Sequence, residues 1–121
     1  MKVTLSSRAR HDLEGIRNYI EQDNPARAIS FVDELRDIMK RLADMPRAFP
    51  LVPRYEHHGI RRRSYKRYGI LYSVEPDHIF VHRIIGPGQD HDAALWSQNH
   101  ESGRRLHTRT KRSQPWRAHA M

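Results

Sequence analysis

Five of the seven residues from Arg61 to Arg67 carry a positive charge: Arg61, Arg62, Arg63, Lys66 and Arg67. A guanidinium is a planar fork that can bind a carboxylate or a phosphate at two points, so such a run suits an acidic protein segment or a nucleic-acid backbone. In an extended chain Arg61 and Arg63 fall on one face and Arg62 on the other. The same charges would also serve an edge strand that must stay soluble and avoid pairing with other strands. Tyr65, Tyr68 and Tyr72 stand close by; aromatic residues at such positions stack on bases or, more commonly, fill a core. Nine histidines raise the question of a metal. His78 and His82 share a face, but four residues of strand span ~13 Å, too far for two ligands of one zinc. His57 and His58 sit in a loop. No metal site is expected, and with no cysteine in the chain a thiolate site or a disulfide is ruled out. There is no nucleophile elbow, no phosphate-binding glycine loop and no paired-histidine zinc motif, so the catalytic residues stay unassigned and no cofactor is expected.

These residues need a scaffold, and 121 residues are enough for one domain. Val3 and Leu5 alternate with polar neighbours in a short strand over residues 2–6. Ser6 or Ser7 caps a helix in which Ala9, Leu13, Ile16 and Ile20 form one stripe. Gly15 marks either a close packing contact or a tolerated loss of about 1 kcal/mol of helix propensity. Asn24-Pro25 suits an N-cap followed by a first helical residue. Phe31, Val32, Leu35, Ile38, Met39 and Leu42 then give a wide apolar stripe ending before Pro46. Asp37 and Arg41 attract at helical spacing, whereas Asp33 and Asp37 repel. Pro46, Pro50, Pro53 and Gly59 mark an irregular connector. From Ile60 the period becomes two, with strands over 60–65, 68–75 and 78–85 joined by Lys66-Arg67 and Pro76-Asp77 as a meander. The expected order is β-α-α-β-β-β, an α+β domain with a helical hairpin packed on a small antiparallel sheet. Leu13, Ile16, Ile20, Phe31, Leu35 and Leu42 should bury between the two layers. A short helical turn over 89–96 closes a domain of residues 1–96.

The net charge of +8 is concentrated at the end of the chain. Residues 97–121 hold six arginines and lysines against Glu101 alone, and lack periodicity. They read as a basic, disordered tail. The first ten residues have no apolar core of a secretory signal, and no apolar run approaches the ~20 residues of a membrane span. A soluble cytoplasmic protein with a polyanionic or acidic partner is the expectation.

The helical segment RHDLEGIRNYIEQDNPARAISFVDELRDIMKRLADMP resembles the paired helices of the RelE/ParE toxin superfamily. GIRRRSYKRYGILYSVEPDHIFVHRIIGPGQD resembles that family's sheet. The resemblance covers residues 2–95. It implies the toxin of a type II toxin–antitoxin pair, of the kind that serves plasmid stabilisation, neutralised by a cognate antitoxin and aimed at DNA gyrase or the translating ribosome. RNA-cleaving members place an arginine after the tyrosine that opens the Y.I.Y strand, another cation just beyond the last strand, and a later tyrosine. The matching positions here are Gly69, Gly88 and Ala94. Without those cations, charge developing on a phosphate is hard to stabilise. The resemblance therefore points to the ParE branch and to inhibition of gyrase by binding. The alternatives are a ribosome-dependent mRNA endonuclease and an inactive relative that only binds an antitoxin. Arg61, Arg63, Lys66, Arg67 and Arg83 are the candidates for contact with antitoxin or target.

Overall fold

The computed structural model describes residues 1–95, so the expectation of a disordered tail lies outside the described residues. The elements are β1 (Lys2–Leu5), α1 (Ser7–Glu21), α2 (Pro25–Arg41), β2 (Arg61–Tyr65), β3 (Tyr68–Val74) and β4 (His78–Ile85). Short 3₁₀ turns at Leu42–Asp44 and Glu56–His58 punctuate the connector. The β-α-α-β-β-β order is the one read from the sequence.

Both helix starts are capped by side chains. Ser6 Oγ accepts from Ala9 N–H at 2.9 Å and itself donates to the His82 carbonyl at 2.7 Å, so one hydroxyl caps α1 and ties it to β4. Asn24 Oδ1 accepts from Arg27 N–H at 3.0 Å, with Pro25 as the first helical residue. Arg41 meets Asp37 at 2.8 Å, the helical pair expected from their spacing. Gly15 is exposed and nothing approaches the place where its Cβ would sit. It marks no packing contact. Gly15→Ala should therefore stabilise the protein by up to about 1 kcal/mol; an unchanged or lowered Tm would show that α1 needs this glycine.

The sheet order is β1-β4-β3-β2. β2, β3 and β4 form the antiparallel meander, but β1 lies parallel to β4, with Val3 opposite Ile79 and Leu5 opposite Val81. The sheet is thus mixed. The helical hairpin, the connector, β2 and β3 lie between β1 and β4 and give the long connection that a parallel pair requires. Leu13 and Ile16 from α1, Phe31 and Leu35 from α2, and Leu42 just after it are buried against Ile70, Tyr72, Ile79, Val81 and Ile84. Ile20, expected in this core, is only half-buried at its rim. Between Leu71 and Tyr72 the register slips, so that Leu71 faces Arg83 and Tyr72 faces Val81. The extra residue, His82, is the mark of a β-bulge. Ile84 is thereby returned to the helix side.

Beyond Pro87 the chain forms a separate unit. Gly88 adopts φ 82°, where glycine is favoured, and residues 91–95 are helical.

Candidate functional site

β2 is an edge strand, but part of its outer edge is occupied. Arg62 N–H donates to the Pro50 carbonyl at 3.0 Å, Val52 N–H donates to the Ile60 carbonyl at 2.8 Å, and Leu51 bridges to Arg61. The three arginines of this strand then divide as alternation requires. Arg61 and Arg63 both turn to Phe49. Arg61 Nη1 donates to the Phe49 carbonyl at 2.7 Å, and the Arg63 guanidinium lies over the Phe49 ring, 4.8 Å from its centroid. Arg62, on the other face, donates from Nε to Ser64 Oγ at 2.9 Å. Its guanidinium lies over Gly69, where any Cβ would collide with it. The missing side chain at position 69 is therefore used as a bed for Arg62.

The tight turn after β2 presents Lys66 and Arg67, both exposed, with Lys66 at φ 58°. This turn is braced from below. Tyr65 Oη donates to Glu34 Oε1 at 2.7 Å, and Arg27 holds the same carboxylate at 2.6 Å and 3.3 Å. These bonds, Arg27's first, keep the Glu34 carboxyl below the usual carboxylate range. Phe31 stacks under Tyr65 and Tyr68 at 6.0 Å and 5.4 Å between ring centroids. The tyrosines thus serve packing, with Tyr72 fully buried and its hydroxyl donating to the Pro46 carbonyl at 2.7 Å.

Arg83 stands apart from the other candidates. Its guanidinium donates through Nε to Asp12 Oδ2 at 2.8 Å and through Nη2 to Asp12 Oδ1 at 2.9 Å, while Asp12 Oδ2 also accepts from Ile84 N–H at 2.9 Å. The pair is 7 % and 15 % exposed. Arg83 therefore locks α1 to β4 and offers little surface to a partner.

The far side of the sheet offers a different surface. β1 is the other edge strand, and no backbone partner meets its outer side among the described residues. Beside it runs a groove of about 610 Å³ between β1 and the helical hairpin. Val3, Leu5, Leu13 and Val32 give it apolar walls, and Arg10, Arg17 and Arg36 give it a basic border beside Glu14. An extended segment can add to such an edge, and an apolar helix face can fill such a groove. Neither the groove nor the free edge was legible without the β1–β4 pairing.

His82 forms a third group, on the sheet face away from the helices. Ser73 Oγ donates to Glu75 Oε2 at 2.7 Å, so its single proton is committed. The 2.8 Å contact between Ser73 Oγ and His82 Nε2 then requires Nε2 to be the donor. His82 Nδ1 is left unprotonated and buried, with no hydrogen-bond partner among the described residues. Burial, against the opposing pull of Glu75 and with a further push from His58, lowers its pKa to about 4. A neutral imidazole with one nitrogen turned to a committed serine and the other enclosed is poorly placed to exchange protons with a substrate. Among the described residues no three histidine or acidic side chains gather as a metal ion would need. No helix among them is long and apolar enough to cross a membrane.

The fold and these surfaces define a small α+β protein with one open strand edge, one charged apolar groove and one basic edge. A family model for the ParE toxin of the type II toxin–antitoxin system parDE matches residues 3–90, and the chain belongs to that family. The fold is similar to the solved structure of the chromosomal ParDE toxin–antitoxin system from P. aeruginosa. That match has 20 % identity, a TM-score of 0.61, and covers 72 % of this chain and 96 % of the other. It is also similar to the toxin–antitoxin complex RelBE2 from Mycobacterium tuberculosis, at 19 % identity and a TM-score of 0.53, covering 70 % and 95 %. No curated protein sequence matches this chain.

Proposed function

We propose that this protein is a toxin that inhibits DNA gyrase by binding it, and that a cognate antitoxin neutralises it. Membership of the ParE toxin family is the observation that carries this reading. The antitoxin adds an extended segment to the β1 edge and lays an amphipathic helix with acidic residues in the adjacent groove, where Arg10, Arg17 and Arg36 meet them. The basic edge formed by Arg61, Arg63, Lys66 and Arg67 lies at the opposite end of the sheet and stays clear of that antitoxin surface.

The local chemistry supports binding over RNA cleavage. Cleavage needs a base for the 2′-hydroxyl, a cation at the phosphate and an acid for the leaving oxygen. Gly88 supplies no cation, the guanidinium over Gly69 belongs to Arg62 and is bonded to Ser64, and the histidine on the sheet face away from the helices is held neutral and enclosed.

Brief expression in cells is expected to alter plasmid topology while leaving translated messages intact. The purified protein should inhibit supercoiling by purified gyrase, and added antitoxin should restore it. In-frame cuts in translated messages with unchanged plasmid topology would overturn the gyrase reading.

A further inference from the structure

Arg61 and Arg63 have an unusual set of partners. Arg27, Arg41 and Arg83 each pair with a carboxylate. Arg61 instead binds the carbonyls of Phe49 at 2.7 Å and Arg47 at 3.4 Å. Arg63 binds the Ser64 carbonyl at 2.7 Å and stacks on the Phe49 ring. Among the described residues no carboxylate pairs with either, and the Nε and Nη2 groups of both have no protein acceptor. Neutral partners fix the direction of a guanidinium without cancelling its charge. Two half-buried positive charges are thus held side by side, two strand residues or ~6.8 Å apart at the backbone. Each guanidinium keeps its Nε and Nη2 groups for an anion.

We propose that Arg61 and Arg63, gathered around Phe49, form a phosphate-binding site whose ligand is the backbone of duplex DNA. The surroundings favour a polyanion over a single carboxylate. From His57 to Val74 the chain has no acidic residue, and Lys66 and Arg67 stand exposed at the end of the same strand. Such a field attracts a row of phosphates, each contact releasing counterions. Phe49 supplies the pre-organisation: the two arginines are ordered before the ligand arrives, so less entropy is lost on binding.

The test uses the full chain and a short fluorescein-labelled DNA duplex, followed by anisotropy across about 50–200 mM NaCl. Arg61→Gln with Arg63→Gln should weaken binding about tenfold or more and reduce the slope of log K against log salt by about one. The charge-matched control Lys2→Gln with Lys40→Gln removes two exposed cations elsewhere and should cost about threefold at most. An equal loss in the control would mean that net charge alone binds DNA, and would overturn the site. Arg61→Lys with Arg63→Lys keeps the charge and guards against misfolding; it should retain the salt slope while losing part of the affinity to the missing forks. The wild-type protein gives an independent reading through the arginine Nε resonances. Those of Arg61 and Arg63 should shift first on adding duplex, and at higher concentration on adding inorganic phosphate. A response to inorganic phosphate without any to duplex would mark a small-anion site and overturn the DNA assignment. A polyglutamate peptide that displaces the duplex at equal charge would make the site a carboxylate receptor and overturn it equally.

Discussion

Asp12→Ala is expected to destabilise the protein by about 3–5 kcal/mol, because it leaves the Arg83 guanidinium buried without its counter-charge. The carboxylate accepts two hydrogen bonds from Arg83 and one from Ile84 N–H. Its removal therefore takes the Asp12 acceptor from three donors, two of them on a charged group that is 7 % exposed. Restoring the balance by removing the charge as well should recover much of the loss. Asp12→Ala with Arg83→Met should melt well above Asp12→Ala alone, since apolar replacement of both members of a buried pair is often near neutral. Thermal unfolding of the two variants decides the matter. A double variant no more stable than the single would show that Arg83 does not depend on Asp12 for its counter-charge. Little loss on Asp12→Ala would show that the pair is open to water.

That ion pair shows where sequence reading ended. Local periodicity exposed both helices, their caps and the three-strand meander, because amphipathic spacing, an Asn-Pro start and period-two alternation are all short-range signals. Pairing across the chain is another matter. The β1–β4 ladder joins residues 76 positions apart, Lys2 and His78 among them, and no local pattern in KVTL says which strand it will meet. Its parallel direction is possible because the connection between the two strands is far longer than a hairpin turn. The free strand edge and the groove beside it both depend on that pairing.

The basic strand was legible as a cluster but not as a division of labour. Alternation placed Arg61 and Arg63 together and Arg62 apart, as the structure has them. What alternation could not supply was Phe49, which arrives from the proline-rich connector and takes both inward arginines. Nor could it show that Gly69, an empty position in sequence, is covered by Arg62 from the neighbouring strand. Charge alone groups Arg83 with the binding cations, and the bulge at His82 breaks the alternation that would otherwise place its side chain. The partner that explains it lies 71 positions away on α1.

Acid should expose the remaining buried group. His82 is neutral in the folded protein down to about pH 4, against an ordinary histidine value of 6.5. The unfolded chain therefore takes up a proton that the folded protein refuses across that interval. Where the unfolded state binds more protons, stability falls as pH falls. The contribution is fully present above pH 6.5, declines by about 1.4 kcal/mol per unit below it, and is exhausted near pH 4 after a loss of about 3 kcal/mol. Glu75 opposes this by favouring the imidazolium, but enclosure by the sheet outweighs it. His82→Gln keeps an amide N–H to donate to Ser73 and cannot titrate. Groups that do not interact with His82 contribute alike to both proteins, so the difference between their stability curves reports His82 together with its coupling to Glu75 and His58. Urea denaturation at several pH values between 7.5 and 4 should show the wild type losing about 3 kcal/mol more than His82→Gln. Parallel curves would mean that His82 takes its proton as readily folded as unfolded, and that water reaches the Nδ1 that the structure encloses.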